Sequence, residues 1–473
     1  MTKEIAVTSP EHYENLVIGS GEGGKYLAWH MASTGHRTAV VERRLIGGSC
    51  PNTNCLPSKN EIWSAKVADL MRHGDAFGSM VASPHVDMAR VLARKKAMVD
   101  GLIAIHLNNF KATGAELIMG TAQLTGPKTV SVALNDGGTR VLTADRLFLN
   151  LGTRAAIPDV AGLAAAGPMT HVEALELDRL PERLIVIGGG YVGLELAQAF
   201  RRFGSDVTIL ETGPQIAARE DADVGAALID LLRDEGIEVL LSARLLAVSG
   251  RSGAQVSVRV RLPEGEREIT GTDLLVAAGR IPNTQDIGLD RAGVDCDARG
   301  YIAVNDRLET SAPDVWAIGE CAGSPQFTHA SMDDYRVIRD NLAGGRRSTA
   351  DRLMPYCLYT DPPMARVGLS EAEATRQGIP ARVARIPTAA VLRSRTMSET
   401  RGFLRAVIGD DDRILGFTML GPEAGEVMTV VQTAMLARMP YTALRDAVIA
   451  HPTMAEGLNV LFAAAPVRVG AGL

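Results

Sequence analysis

Sulfur is scarce in this chain. Five cysteines in 473 residues are too few for a disulfide framework, so a reducing, cytoplasmic setting is expected. No apolar run reaches the roughly 18 residues of a membrane-spanning helix. The opening "MTKEIAVTSPEHYENLVIGS" lacks the basic-then-apolar order of a secretory signal. A basic excess is missing too. The net charge of −6 gives no reason to expect nucleic acid or an anionic membrane as partner. Low-complexity segments and long linkers are also absent. What remains is an ordinary globular composition, 46% hydrophobic and 22% charged, long enough for two to four domains.

Glycine is where the pattern begins. In "ENLVIGSGEGGKYLAWHMASTGHRTAVVE" (14–42) an apolar strand enters Gly19-x-Gly21-x-x-Gly24, followed by a helical stretch and a second strand ending at Glu42. A glycine triplet alone is weak. Flanked by strand and helix, with an acid about twenty residues on, it is a dinucleotide fingerprint. Its glycines let backbone approach a pyrophosphate at a helix N-terminus, and Glu42 suits ribose hydroxyls. The pattern recurs in "LIVIGGGYVGLELAQAFRRFGSDVTILE" (184–211), with Gly188, Gly190, Gly193 and Glu211. Two fingerprints imply two dinucleotides and hydride traffic between them.

"LFLNLGTRAAIP" (147–158) and "LLVAAGRIPNT" (274–284) read as strands ending in glycine and proline, where the chain crosses between nucleotide domains. "TSAPDVWAIGECA" (310–322) reads as another buried strand, with Glu320 at its carboxyl end. From about Met354 strands and then helices suggest an α+β domain. Two cysteines, Cys50 and Cys55, stand close together before a helical segment. A structural staple, a metal knuckle and a redox centre are the candidates.

In this order the pieces resemble the flavin-dependent pyridine nucleotide–disulfide oxidoreductases, the family of dihydrolipoyl dehydrogenase, glutathione reductase and mercuric reductase. The most specific carriers are Gly47-Gly48-Ser49-Cys50 through Cys55-Leu56-Pro57-Ser58-Lys59, and His451-Pro452-Thr453-x-x-Glu456 about 400 residues later. The resemblance makes Cys50–Cys55 a redox-active disulfide, with Cys50 attacking substrate and Cys55 facing the flavin. A helix N-terminus beside them favours thiolate. A zinc site would want further ligands at short spacing, and Cys296, Cys321 and Cys357 are isolated. His451, oriented by Glu456, is implied as the proton donor to the leaving thiolate, reaching the site from the partner subunit of a homodimer. Lys59 and Glu195 are implied as an ion pair beside the flavin edge where hydride arrives. The resemblance further assigns Gly19, Gly21, Gly24, Glu42, Ser49, Lys59, Gly152, Gly319 and Glu320 to FAD. It assigns Gly188, Gly190, Gly193, Glu211, Gly279 and Arg280 to the nicotinamide cofactor. Cytosolic NADH is favoured over NADPH, because Glu211 suits a free 2′-hydroxyl and Thr212-Gly213-Pro214 supply no arginine.

The expected architecture is α/β: two Rossmann-like domains for FAD and NAD plus a C-terminal α+β dimerisation domain. The limits are 1–156 (FAD, with the cysteines), 157–280 (NAD), 281–350 (second FAD and central part) and 351–473 (interface). Three departures from the family pattern stand out. Glu320 replaces the usual Asp on the flavin's ribityl chain. The terminal cysteine pair of mercuric reductases is missing from "AAAPVRVGAGL", which argues against mercury as the substrate. Trp29 and His106 stand where glutathione reductases place an arginine and a tyrosine, leaving Arg336 as the anchor for a substrate carboxylate. A reductase of a small, compact disulfide is therefore expected. Its rivals are dihydrolipoyl dehydrogenase, a flavin diaphorase or oxidase, and a redox-sensing scaffold that binds nucleotide without turnover.

Overall fold

The structure is a computed structural model, and it describes residues 10–350, 352–464 and 467–468. Strands Glu11–Ile18, Thr38–Glu42, Glu116–Gly126, Thr139–Leu149 and Val315–Ala317 lie in one parallel sheet. The register pairs Ile18 with both Val41 and Leu149, and Leu149 with Ala317. Four of these strands therefore end along one edge, where open α/β sheets bind their ligands, while Glu116–Gly126 runs on past it. Leu16, Val17, Leu147 and Phe148 are completely buried, which is why these strands are unbroken apolar runs rather than alternating ones. Thr129–Leu134 joins the long strands on either side of it as an antiparallel meander.

A second parallel sheet holds Arg183–Ile187, Asp206–Leu210, Glu238–Leu240 and Asp273–Val276. It has its own antiparallel three-stranded flap, residues 244–271. The expected crossing is a short antiparallel pair, Thr153–Ala155 against Arg280–Pro282. Beyond it, Tyr356–Leu358, Met364–Gly368, Ala381–Pro387, Phe403–Gly409 and Ile414–Leu420 form an antiparallel sheet. Helices Ala424–Leu436 and Gly457–Ala463 cover it, sharing a core with Ala406, Phe417 and Met419. No helix among the described residues is long and apolar enough to cross a membrane.

Helix Cys55–Arg72 packs on helix Met88–Thr113 and buries Glu61 beside Lys95. Burial holds the Glu61 carboxyl up at about 8, against the pull of Lys95 and with a small push from Glu176. The folded chain thus keeps a proton that the unfolded chain gives up above its ordinary value of 4.5. Stability must fall as pH rises between those two values. Glu61→Gln removes the effect, so its advantage in Tm over the wild type is expected to widen from pH 5 to pH 8. A gap that stays constant across that range would contradict this.

Candidate active site

The cysteine loop rests on the first glycine turn. Gly48 has φ +81°, and a Cβ there would come within 2.6 Å of the Gly21 Cα. Beneath the contact, Gly47 N donates to Ser20 Oγ at 2.9 Å. Ser20 in turn donates to Glu42 Oε2 through N at 2.9 Å and Oγ at 2.8 Å. Arg44 N and Leu45 N donate to Glu42 Oε1 at 2.8 and 3.0 Å. Glu42 therefore braces the turn, the second strand and the cysteine loop together.

Two helices carry the thiols. Ser49 opens the short helix Ser49–Asn52, which bears Cys50; the chain breaks at Thr53-Asn54, and Cys55 is the first residue of helix Cys55–Arg72. The sulfurs, both free thiols, lie close enough for each to shift the other's titration. The Thr328 hydroxyl lies 3.2 Å from Cys55 Sγ. Cys55 is brought down to about 6, chiefly by the hydrogen bond from Cys50, then by Thr328 and the charge of Lys59; burial and Glu195 oppose the shift. Cys50 moves the other way, pushed up by its neighbour's sulfur and by burial. The pair is polarised, with Cys55 the thiolate.

One turn on, Lys59 Nζ sits 2.7 Å from Glu195 Oε2. Glu195, in helix Tyr191–Phe203, also accepts from Tyr359 N at 2.8 Å. Lys59 lies 4.7 Å over the Tyr359 ring. The structure thus brings together Cys50, Cys55, Lys59 and Glu195 from both nucleotide domains.

Both glycine turns fit dinucleotides. Among the described residues, the amides of Gly21 and Glu22 at the first helix start, and of Gly190 and Tyr191 at the second, donate to no protein group. These are the free donors a pyrophosphate needs. Gly24 N is held instead by Asn150 Oδ1 at 3.2 Å. A Cβ on Gly193 would meet Gly188 O at 2.1 Å, so only glycine lets the second helix sit this close to its strand. Glu211 accepts from Gly189 N and Gly213 N at 2.7 and 2.6 Å. Gly152, Gly279 and Gly319 turn the chain at the strand ends.

Other expected residues have partners within the chain. Arg280, expected at the nicotinamide cofactor, reaches the strand crossing. Its Nε donates to Thr153 Oγ1 at 2.6 Å and pairs with Glu320 Oε2 at 3.1 Å, and Thr153 also bonds Glu320. Glu320 is the acceptor of this bridge. Trp29 and His106 do meet, with rings stacked at 5.9 Å, but they are only 7% and 8% exposed. Phe110 packs edge-on against Trp29, and Lys25 Nζ holds His106 Nε2 at 3.1 Å. Burial, with the Lys25 charge, brings His106 down to about 4. The inward faces of two packed helices bury both residues. Arg336 is exposed and has no hydrogen-bonding partner among the described residues.

His451 and Glu456 form their own unit. Nδ1 lies 2.9 and 3.0 Å from the two Glu456 oxygens, while the His451 side chain is 60% exposed. No hydrogen bond joins it to either cysteine within the chain. Sequence reading missed Thr328, Asn150, Ser20 and Tyr359. Each is a common residue whose role comes from a distant partner, and no spacing signals it. No cluster of three or more metal-ligating side chains exists among the described residues.

A sequence profile described as pyridine nucleotide-disulphide oxidoreductase matches residues 13–334, and that family's dimerisation domain matches 354–461. The chain is 34% identical to a probable pyridine nucleotide-disulfide oxidoreductase, RclA, of Escherichia coli, over 95% of this chain and 98% of that one. It is 36% identical to a mercuric reductase of Acidithiobacillus ferrooxidans, covering 94% and 81%. With a dihydrolipoyl dehydrogenase of Pseudomonas aeruginosa it shares 33%, covering 94% and 95%. A solved structure described as a Cu(II) complex of the HOCl-induced flavoprotein disulfide reductase RclA superposes with a TM-score of 0.87. It is 33% identical, over 96% of this chain and 99% of that one. The chain belongs to the pyridine nucleotide-disulphide oxidoreductases, FAD- and pyridine nucleotide-dependent enzymes that act on sulfur groups.

Proposed function

We propose that the enzyme uses NADH to reduce a low-molecular-weight disulfide at Cys50–Cys55, as a homodimer. Overall, NADH, a proton and R–S–S–R give NAD⁺ and two R–SH. The observation that carries this reading is the polarised thiol pair, with the Cys55 thiolate one helical turn from the Lys59–Glu195 ion pair. The first glycine turn, Gly19, Gly21 and Gly24, would hold FAD, which would supply a two-electron relay between the nicotinamide and the Cys50–Cys55 disulfide.

The chain's own residues handle the sulfur and the proton. Cys50 remains a thiol beside the Cys55 thiolate, so a base must take its proton as it attacks. The partner subunit's His451, aligned by Glu456, is that base. It returns the proton to the departing thiolate as the substrate S–S bond breaks. Cys55 then displaces the second R–S group from Cys50, and the protein disulfide reforms. Exposed, and unpaired among the described residues, Arg336 remains the candidate anchor for a substrate carboxylate.

The test is a screen of low-molecular-weight disulfides and lipoamide against NADH oxidation, in the wild type and in Cys50→Ser. Turnover on a small disulfide that Cys50→Ser abolishes supports the reading. Preference for lipoamide indicates dihydrolipoyl dehydrogenase, and full activity in Cys50→Ser indicates a diaphorase. A second reading rests on the solved relative described as a Cu(II) complex. Two soft sulfurs at one site suit copper, and the same dithiol could pass electrons to Cu(II) as substrate. Cu(II)-dependent NADH oxidation exceeding that with every disulfide would favour it.

Cofactor choice follows from Glu211. Two backbone amides orient its carboxylate at the end of the second strand, where it accepts from a ribose 2′-hydroxyl and repels a 2′-phosphate. kcat/KM is expected to be higher for NADH than for NADPH by about tenfold or more, a difference of about 1.4 kcal/mol. A clear preference for NADPH would refute the assignment.

A further inference from the structure

We propose that Tyr356, on the first strand of the C-terminal domain, is a positioning residue for the nicotinamide half of the reaction. The proposal rests on the reading above, in which NADH docks at the second glycine turn. Tyr191 follows Gly190 directly and is the first residue of helix Tyr191–Phe203. Its ring therefore stands at the mouth of that turn, one helical turn before Glu195. Anything that fixes Tyr191 and Glu195 together fixes the wall along which a nicotinamide must lie.

The segment Tyr356–Tyr359 does this at two points. The Tyr356 hydroxyl donates to Glu220 Oε1 at 2.9 Å, and the Tyr191 hydroxyl donates to the same oxygen at 2.5 Å. The two rings lie 6.0 Å apart. Glu220 is buried, and its second oxygen faces Arg366 Nη1 at 3.3 Å. A buried carboxylate with two phenol donors and a guanidinium is a charge-assisted, geometrically demanding clamp. Burial, reinforced by Glu220, raises both phenols above their ordinary range, so both remain donors. Three residues on, Tyr359 N donates to Glu195 Oε1, and the Tyr359 ring supports Lys59.

The other face of Tyr356 meets the thiol side of the site. Phe327 stacks on it at 5.5 Å with rings 5° from parallel. The next residue, Thr328, carries the hydroxyl that touches Cys55. Tyr356 is thus wedged between the nicotinamide wall and the residue preceding the thiolate's partner. Its hydroxyl acts on the first and its ring on the second.

The experiment compares wild type, Tyr356→Phe, Tyr191→Phe and the double variant. NAD⁺ affinity for the oxidised holoenzyme is measured by calorimetry, and flavin reduction by NADH by stopped flow. Tyr356→Phe keeps the stack and loses the hydroxyl, and misplacement of a reacting partner is costly. We expect NAD⁺ affinity and the rate of flavin reduction each to fall about tenfold, with FAD content and iodoacetamide reactivity of the reduced thiols unchanged. Because both tyrosines act through Glu220, the double variant should be no worse than the poorer single one. Wild-type values in a folded, FAD-replete Tyr356→Phe would overturn the proposal, as would fully additive losses. If the wild type binds no NAD⁺ at all, the functional reading fails instead, and the two failures are told apart. Should Tyr356→Phe lose FAD or unfold, the residue is a structural support, and the positioning role is likewise overturned.

Discussion

Cys55→Ala is expected to cost about a thousandfold or more in disulfide turnover and to remove the long-wavelength charge-transfer absorbance of the reduced enzyme. Cys50→Ala should cost as much turnover and yet keep that absorbance, even without reductant. The asymmetry follows from the environments of the two sulfurs. Cys55 is brought down chiefly by the hydrogen bond from Cys50, then by the Thr328 hydroxyl and the charge of Lys59, and the last two remain to favour its charge in Cys50→Ala. Cys50 has the other sulfur as its neighbour and is pushed up. In the reduced wild type the absorbance should titrate with a midpoint near 6, where Cys55 gains its proton as pH falls. Above that midpoint the thiolate and the absorbance persist. An absorbance that survives Cys55→Ala would reverse the assignment of the two thiols.

His451→Ala is expected to lower disulfide turnover by about 10²–10⁴-fold, the usual contribution of a positioned acid–base group. Flavin reduction by NADH should not change. The reason is spatial: the imidazole is held by Glu456 on an exposed face of the C-terminal domain, bonded to neither cysteine of its own chain. If it serves the opposite subunit, two dead variants can repair each other. In a mixed dimer of Cys50→Ala and His451→Ala chains, one of the two sites has both groups intact. Co-refolding equal amounts should recover about a quarter of wild-type turnover, since half the dimers are mixed and half their sites are whole. No recovery, with mixed dimers shown to form, would place the histidine in its own subunit's site or outside the reaction.

Where chemistry dictates residue type at fixed spacing, the chain could be read. The glycine turns have to be glycine because backbone comes within about 2–3 Å of where a Cβ would stand, as at Gly48 and Gly193. Cys50, Cys55 and Lys59 are legible because all three fall at fixed spacing across one short helix and the first turn of the next. Thr328 is not, since a hydroxyl 273 residues from Cys55 acts only once the fold closes. Asn150 is hidden in the same way. For Trp29 and His106, alignment along a helix gives a position but not the depth to which its face packs. Arg280 follows the glycine of a nucleotide-like loop, yet the crossing strand turns its guanidinium to Glu320. Tyr356 carries no motif, and its partners come from the other two domains.

The contact between Gly48 and Gly21 has a consequence for engineering. The pyrophosphate turn and the dithiol loop are keyed into one another through a surface with no space for a side chain, and Ser20 and Glu42 tie them from below. The dithiol loop is therefore not a portable cassette. Grafted onto another nucleotide fold, it would need its own glycine turn, serine and glutamate brought with it. A donor that supplies only the cysteines would transplant the sulfurs without their geometry.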